Sequence, residues 1–301
     1  MAGVCAGRIV VITGAGRGLG RSYALAFARE GAKVVVNDLG TSLAGAGRDT
    51  ATAQAVVDEI RSAGGEAVAN GDDVSEWDGA GRIIATAIEH FGGLDVVVNN
   101  AGVVRDRMFV SATVEEWDAT MKVHLRGHFC VARHAVDYWR ACAKQGKPVD
   151  ARIINTSSGA GLNGSMAQSA YSAAKGGIAT LTLVQAAELG RYGITANALA
   201  PAARTRMTEQ AFAEKMKRPD SGFDVQDPDN IAPAVVWLGS AESREVTGCV
   251  FELEGGKIMI DRGWSDGPAI DKQARWQPAE VGAAVRKLLA ERPAPKKVYG
   301  T

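Results

Sequence analysis

Residues 9–20 read IVVITGAGRGLG, and the fold turns on that stretch. Ile9-Val10-Val11-Ile12 is a continuous run of β-branched apolar residues, the pattern of a strand covered on both faces. Thr13–Gly20 then sets glycines at Gly14, Gly18 and Gly20, a GxxxGxG spacing, before a helical pattern at 18–30. Glycines allow a tight turn and close backbone approach to a ligand, and the helix start offers free N–H groups to a pyrophosphate. A glycine-rich turn alone is weak evidence. Between a strand and a helix it points to a dinucleotide.

Working outward, apolar runs alternate with helical patterns along most of the chain. Strands are expected at Arg8–Thr13, Lys33–Asn37, Glu66–Asn70, Leu94–Asn99, Ala151–Thr156, Ile194–Leu199 and Cys249–Leu253. Helices are expected at 18–30, 49–63, 76–90, 114–144, 169–191 and 228–239. Seven strands and six helices in alternation predict an α/β, Rossmann-type, doubly wound parallel sheet. The reading is one domain over 1–255 and a C-terminal extension over 256–301, with a helix at 279–291. The Gly-rich stretch Leu39–Gly47 is longer than a βα connection usually needs.

The 34 basic and 34 acidic side chains cancel, so no electrostatic footprint for nucleic acid or an anionic membrane exists. The apolar runs are too short to span a bilayer. The first residues carry no secretory-signal pattern, and a cytoplasmic location is expected. Cys5, Cys130, Cys142 and Cys249 show no ligand spacing, so the expectation is reduced thiols and no metal site.

Asp38 ends the second strand, where a carboxylate accepts hydrogen bonds from the adenosine ribose and repels a 2′-phosphate. That favours NAD over NADP, although Arg17, inside the glycine turn, could pair with a 2′-phosphate. "DDV", Asp72–Val74, follows the third strand, where Asp73 could reach the adenine amino group or cap the next helix. Ser75 is the better N-cap there. "NNAG", Asn99–Gly102, closes the fourth strand, at the end of the sheet that lines a ligand crevice.

The reacting groups are expected near the fifth strand. Ser157-Ser158 closes it, and "YSAAK" sets Tyr171 and Lys175 at i, i+4 on one helix face. A phenol titrates near about 10. A neighbouring ammonium favours phenolate and lowers that value, which makes Tyr171 an acid/base candidate. Ser158 can hydrogen-bond a substrate oxygen beside it.

"TGAGRGLG", "NNAG" and Ser158 with "YSAAK" together resemble the short-chain dehydrogenase/reductase family over residues 7–255. The resemblance implies that Gly14, Gly18, Leu19 and Gly20 hold the pyrophosphate, Asp38 the ribose, and Asp73 with Val74 the adenine. It implies that Asn99, Ala101 and Gly102 line the cofactor crevice, and that Pro201 and Thr205 contact the carboxamide. The family's Pro-Gly is here Pro201-Ala202. Ser158 would orient substrate, Tyr171 would act as acid/base, and Lys175 would hold the nicotinamide ribose and acidify the tyrosine. "VVVNDLG", "VHLRG", "LAPAARTRMT" and "IAPAVVWL" are similar to a narrower branch. It comprises the (3R)-hydroxyacyl-CoA dehydrogenase portions of peroxisomal multifunctional β-oxidation enzymes of type 2 and bacterial 17β-hydroxysteroid dehydrogenases. A 3-hydroxyacyl-CoA or hydroxysteroid substrate follows from that likeness. So does a homodimer or homotetramer built on the helices of His124 and Tyr171. The ending "YGT" is not a peroxisomal address, and a free-standing enzyme is expected. An NADPH-dependent 3-oxoacyl-carrier-protein reductase and a non-catalytic dinucleotide sensor are the alternatives.

Substrate selection is expected from 202–227, where Arg204, Arg206, Lys215, Lys217 and Arg218 mix with Met207, Phe212 and Met216. Such a segment suits either an acyl group with CoA phosphates at the rim or a lid helix with a solvated basic face. The tail, with Trp264, Trp276 and its helix, would cover the substrate mouth or dock on a neighbouring subunit. His124, in "MKVHLRG", stands where most of the family carries an asparagine that helps hold a water behind the lysine. Two roles are open: a neutral His124 in that proton relay, or a buried histidine whose ring N–H bonds a backbone carbonyl.

Overall fold

The structure, a computed structural model, describes residues 3–42, 47–211, 213–294 and 296–299. Part of the Gly-rich loop and Phe212 lie outside the described residues. In chain order the elements are β1 (Ile9–Thr13), α1 (Gly18–Arg29), β2 (Lys33–Asn37), α2 (Ala51–Ser62), β3 (Glu66–Asn70), α3 (Trp77–Phe91) and β4 (Val96–Asn99). Then follow α4 (Val114–Met121), α5 (Gly127–Lys144), β5 (Ala151–Thr156), α6 (Gly159–Asn163), α7 (Ser169–Leu189) and β6 (Ile194–Ala202). The last are α8 (Arg206–Ala211), α9 (Ala232–Gly239), β7 (Val250–Glu254), β8 (Lys257–Asp261) and α10 (Pro278–Glu291).

One sheet runs β3-β2-β1-β4-β5-β6-β7-β8, parallel throughout except for the antiparallel β7–β8 pair. The strand count is eight, one more than the sequence pattern indicated. β8 escaped notice because Lys257-Ile258-Met259-Ile260 is an edge strand with Ile258 and Ile260 exposed, and it falls beyond the regular alternation. The sheet therefore continues past residue 255 to Asp261.

The continuous Val/Ile runs have a direct cause. Val10, Ile12, Val34, Val36, Val96 and Val98 enter one core layer, while Val11, Val35 and Val97 enter the other. Period-two side chains thus fill both faces. Burying each of them is worth roughly 1.5–3 kcal/mol.

Strand order reverses between β1 and β4, a topological switch that leaves a crevice at the carboxyl ends of the strands. The glycine turn after β1 and NNAG after β4 both sit there.

The helix expected over 114–144 is interrupted. A capping box of Thr113 and Glu116 starts α4, and a π turn over Lys122–Arg126 separates it from α5. A π turn slips the helix by one residue, which hydrophobic periodicity does not register. His124 is at its centre.

Candidate active site

The glycine turn is built as a cradle. Gly14 has φ +63°, and a Cβ on Gly20 would stand 2.1 Å from the Gly14 carbonyl oxygen, so only glycine fits at that crossing. Asn100, not singled out from sequence, locks the turn to β4: its Nδ2 donates to the carbonyls of Thr13 (3.0 Å) and Gly14 (3.2 Å). The Thr13 hydroxyl in turn accepts from the Asn100 and Ala101 N–H groups. Asn99, expected to line the crevice, is instead buried, with Nδ2 donating to Asn155 Oδ1 at 3.0 Å. Asn99 is the last residue inside the strand and Asn100 the first beyond it, so the second asparagine reaches the turn.

Asp38 Oδ2 accepts from the Gly16 N–H at 2.8 Å and Oδ1 from the Gly40 N–H at 2.7 Å. The carboxylate is thereby held at the end of β2, beside the glycine turn. Arg17 is already engaged, donating to Thr52 Oγ1 at 2.8 Å and the Thr41 carbonyl at 3.4 Å. Leu19 packs on the core below the turn. Asp73 Oδ1 accepts from both the N–H and hydroxyl of Ser75, an Asx turn in which Ser75 is donor, not the expected N-cap. The helix begins only at Trp77. The Val74 side chain is core, packed on Gly127. Across the crevice, the Thr205 methyl group would lie 3.5 Å from a Cβ on Gly18, so the loop after β6 comes over the glycine turn.

A cavity of about 390 Å³ opens next to this crevice, and its lining includes Ser158, Tyr171, Pro201, Met207, Met216 and Tyr299. Ser158 follows β5 and starts α6, its Oγ accepting from the Ala160 N–H. Ser157 is turned inward and donates to the Lys175 carbonyl at 2.8 Å, so the neighbouring serines have separate roles. On α7, Lys175 Nζ donates to the Thr156 carbonyl at 2.6 Å and sits 5.6 Å from the Tyr171 ring centre.

Burial dominates the electrostatics. It raises the Tyr171 phenol above its ordinary value, with a hydrogen bond from Ser158 pulling the other way. Burial also pulls Lys175 down to about 7. The expectation that a charged lysine acidifies the tyrosine is not met in the chain by itself. A desolvated lysine that titrates near neutrality is too weakly charged to offset the tyrosine's own burial.

His124 is buried, its ring edge-on to Tyr171 at 5.2 Å between centres. Nε2 lies 2.6 Å from the Val103 carbonyl oxygen, whereas Nδ1 is buried without a hydrogen-bond partner. Burial and the nearby Lys175 push its pKa down to about 3, so the ring is neutral. Gly102 is required by this ring, because a Cβ there would come 2.4 Å from His124 Cε1. One turn on, His128 is also buried; its Nε2 accepts from the Thr156 N–H at 3.4 Å, and burial holds its pKa well below the ordinary value. The i, i+4 spacing to His124 was the available signal for it.

The basic substrate segment is largely neutralised. Arg204 is buried and forms a two-pronged pair with Asp224 (2.8 Å each) while donating to the Met216 carbonyl at 2.6 Å. Lys215 pairs with Glu254 and Lys217 with Glu214. Arg204 thus anchors the segment that brings Met216 into the cavity wall. In the tail, Trp264 is fully exposed, and α10 has no buried residue. Tyr299 enters the cavity instead, its N–H donating to the Gly164 carbonyl and its own carbonyl accepting from Met166. Among the described residues no group of His, Cys, Asp and Glu side chains is placed to hold a metal, and no helix is long and apolar enough to cross a membrane.

A family model described as short chain dehydrogenase matches residues 8–216. Hydroxyacyl-CoA dehydrogenase ChsB1 of Mycobacterium tuberculosis is 43% identical, over 95% of this chain and 90% of its own length. Peroxisomal multifunctional enzyme type 2 of Mus musculus is 43% identical over 93% of this chain, which spans only 34% of that enzyme. A crystal structure of a short chain dehydrogenase from Mycobacterium avium superposes with a TM-score of 0.89 at 57% identity, covering 99% of this chain and all of that one. With its glycine cradle at the switch point, Ser158 and Tyr171 on one cavity wall and Lys175 buried behind the tyrosine, the chain belongs to the short chain dehydrogenase family and is an oxidoreductase of CH–OH groups.

Proposed function

We propose that the protein is an NAD-dependent dehydrogenase that interconverts a secondary alcohol and a ketone on a 3-hydroxyacyl-CoA or hydroxysteroid-type substrate in lipid or sterol breakdown. The observation that carries the reading is the placement of Ser158 and Tyr171 on the wall of a largely apolar cavity that adjoins the glycine cradle, with Lys175 buried behind Tyr171. The hydroxyacyl-CoA activity named for ChsB1, a relative matched over nearly its whole length, supports the substrate class.

The residues present fit a nicotinamide dinucleotide. Gly14, Gly18 and Gly20 keep the turn before α1 tight and free of side chains at those positions, as a pyrophosphate at a helix start requires, and Asp38 offers carboxylate acceptors to ribose hydroxyls. Its negative charge opposes a 2′-phosphate, and Arg17 is engaged elsewhere, which favours NAD over NADP and disfavours the carrier-protein reductase. Held there, a nicotinamide dinucleotide would supply the hydride chemistry at the carbinol carbon. Ser158 holds the substrate oxygen, and the Tyr171 oxygen takes the hydroxyl proton during oxidation and returns it during reduction. Lys175 and the neutral His124 sit behind Tyr171, where they can pass that proton toward solvent. Because burial raises the phenol's pKa, oxidation is expected to accelerate as pH rises and reduction to accelerate as it falls.

Two or four copies of the chain would assemble through exposed apolar side chains, including Trp117 on α4, Phe129 on α5 and Leu183 on α7. A cytoplasmic location accords with the reading.

The test is a panel of short and long 3-hydroxyacyl-CoAs, hydroxysteroids and steroid-CoAs with NAD or NADP, beside NADH and NADPH binding by nicotinamide fluorescence. Reduction of NAD by at least one substrate class, and tighter NADH than NADPH binding, are expected. Tighter NADPH binding would overturn the cofactor assignment. Tight NADH binding with no turnover of any substrate would favour the sensor.

A further inference from the structure

Of the charged residues in the cavity wall that have no part in the reaction described above, Lys215 and Glu254 pair with each other, whereas Glu252 is held more loosely. Glu252 lies on β7 in the cavity wall, between Phe251 and Leu253, which both belong to the core. It pairs in register with Ala200 on β6 and Met259 on β8, both also in the cavity wall. Thr156 on β5 pairs with Leu199, and Leu199 with Phe251, so Glu252 is level with the residue after Thr156, at the approach to Ser158. Two strand spacings separate β5 from β7, which sets Glu252 about 10 Å from the strand that leads into Ser158.

A carboxylate in such a wall needs donors. Among the described residues, the two contacts that hold Glu252 are both long: the Tyr299 hydroxyl donates to Oε1 at 3.4 Å, and Lys296 Nζ stands 3.8 Å from Oε2. A charge-assisted hydrogen bond is ordinarily about 2.7–2.9 Å. Lys296 is drawn off by a 2.8 Å bond to Asp261. Glu252 is only about one-fifth exposed, so it retains limited water to satisfy it. An acceptor that is partly desolvated and loosely partnered favours a ligand able to donate to it.

We propose that Glu252, with the Tyr299 hydroxyl beside it, is a specificity-determining residue that accepts a hydrogen bond from a second hydroxyl of the substrate, two strands across the sheet from the strand that leads into Ser158. The inference rests on the proposed function and narrows its substrate class to a lipid alcohol with a polar group at both ends of the body that fills the cavity. A plain hydrocarbon at this place leaves the carboxylate without a good donor and costs affinity.

The experiment compares a medium-chain 3-hydroxyacyl-CoA having a methyl terminus with the same compound hydroxylated at that terminus, both with NAD. The wild type is expected to favour the hydroxylated substrate in kcat/KM roughly tenfold or more, the range of a hydrogen bond to a charged group. Glu252→Leu should collapse that ratio to near unity, Glu252→Gln should leave a reduced preference, and Tyr299→Phe, by removing the competing donor, should enlarge it. Equal kcat/KM for the two substrates in the wild type would overturn the inference and leave the dehydrogenase reading standing. An equal loss on both substrates in Glu252→Leu would also overturn it, since the residue would then only support the wall. No oxidation of either substrate, with NADH still bound, would overturn the dehydrogenase reading and the inference with it.

Discussion

The two halves of the sheet solve different problems with different material. Around β1–β4 the crevice is made by backbone: glycines that leave space, Asn100 gripping two carbonyls, and an Asp38 carboxylate fixed by two N–H groups. Around β5–β8 the cavity is made by side chains, and the groups at and behind its wall carry an electrostatic penalty: Lys175, His124 and His128 are buried titratable groups behind it, and Tyr171 on the wall is pushed up by the same burial. Backbone geometry suits a ligand of constant shape, such as a dinucleotide. Perturbed side chains suit chemistry, where a proton must be held and released near neutrality.

Substitutions should separate the halves. The largest effect is expected from Tyr171→Phe, which removes the only proposed proton carrier in contact with substrate. Turnover should fall by about 10³–10⁴-fold, the upper end for acid/base catalysis, with NADH binding by fluorescence retained. Equal loss of binding would erase the division of labour.

Lys175 tests whether the reacting half really sacrifices stability. Its folded-state pKa is near 7 against 10.5 for an ordinary lysine, so between those values the unfolded chain binds more protons. The wild type should therefore gain stability relative to Lys175→Met as pH rises from about 7 toward 10.5, by up to about 5 kcal/mol in urea unfolding. A flat difference across that window would show that Lys175 is charged as usual.

In the cofactor half, Gly20→Ala forces a methyl group into the Gly14 carbonyl. Overpacking of this kind costs roughly 1–3 kcal/mol, so NADH binding should weaken about 10- to 100-fold. The stability-versus-pH profile should not change, because no titrating group is involved.

The smallest effect on rate is expected from His124→Asn, which keeps a polar side chain at the π turn and should retain turnover within about threefold, whereas His124→Ala should alter the pH–rate profile. His124 also carries a stability signature. Its pKa is near 3 when folded and 6.5 when free, so acidification between those values favours the unfolded chain. The asparagine variant should lose less stability than the wild type as pH falls through that range. An unchanged pH–rate profile in His124→Ala would reduce the histidine to a core residue that happens to face Tyr171.

Much of the cofactor half could be read from residue order. A glycine's lack of a side chain and a strand's alternation are local properties, so Gly14, Gly18, Gly20 and Asp38 were found where the fold places them. The choice between Asn99 and Asn100 was not local, because it depends on where β4 ends. Ser158 and the Tyr171–Lys175 pair were legible because helix geometry fixes i, i+4 neighbours. Their electrostatics were not, since desolvation depends on everything packed around them. β8 was missed because its Ile258 and Ile260 face outward and carry no core pattern. The basic segment after β6 looked like a cationic surface, but its chain folds back so that its own Asp224 pairs with Arg204, and Glu254 of β7 pairs with Lys215.

The sequence by itself determined the alternating α/β order, the glycine turn at the switch point and the residue types available for hydride and proton chemistry. These follow from properties of short stretches: φ freedom, side-chain period and spacing along a helix. The tertiary structure alone decided that His124 lies in a π turn against Gly102, that Arg204 anchors Met216, and that Tyr299 returns from the far end of the chain to stand beside Glu252. Each is a contact between residues remote in sequence or a one-residue slip in a helix, and such features arise only when the whole chain packs.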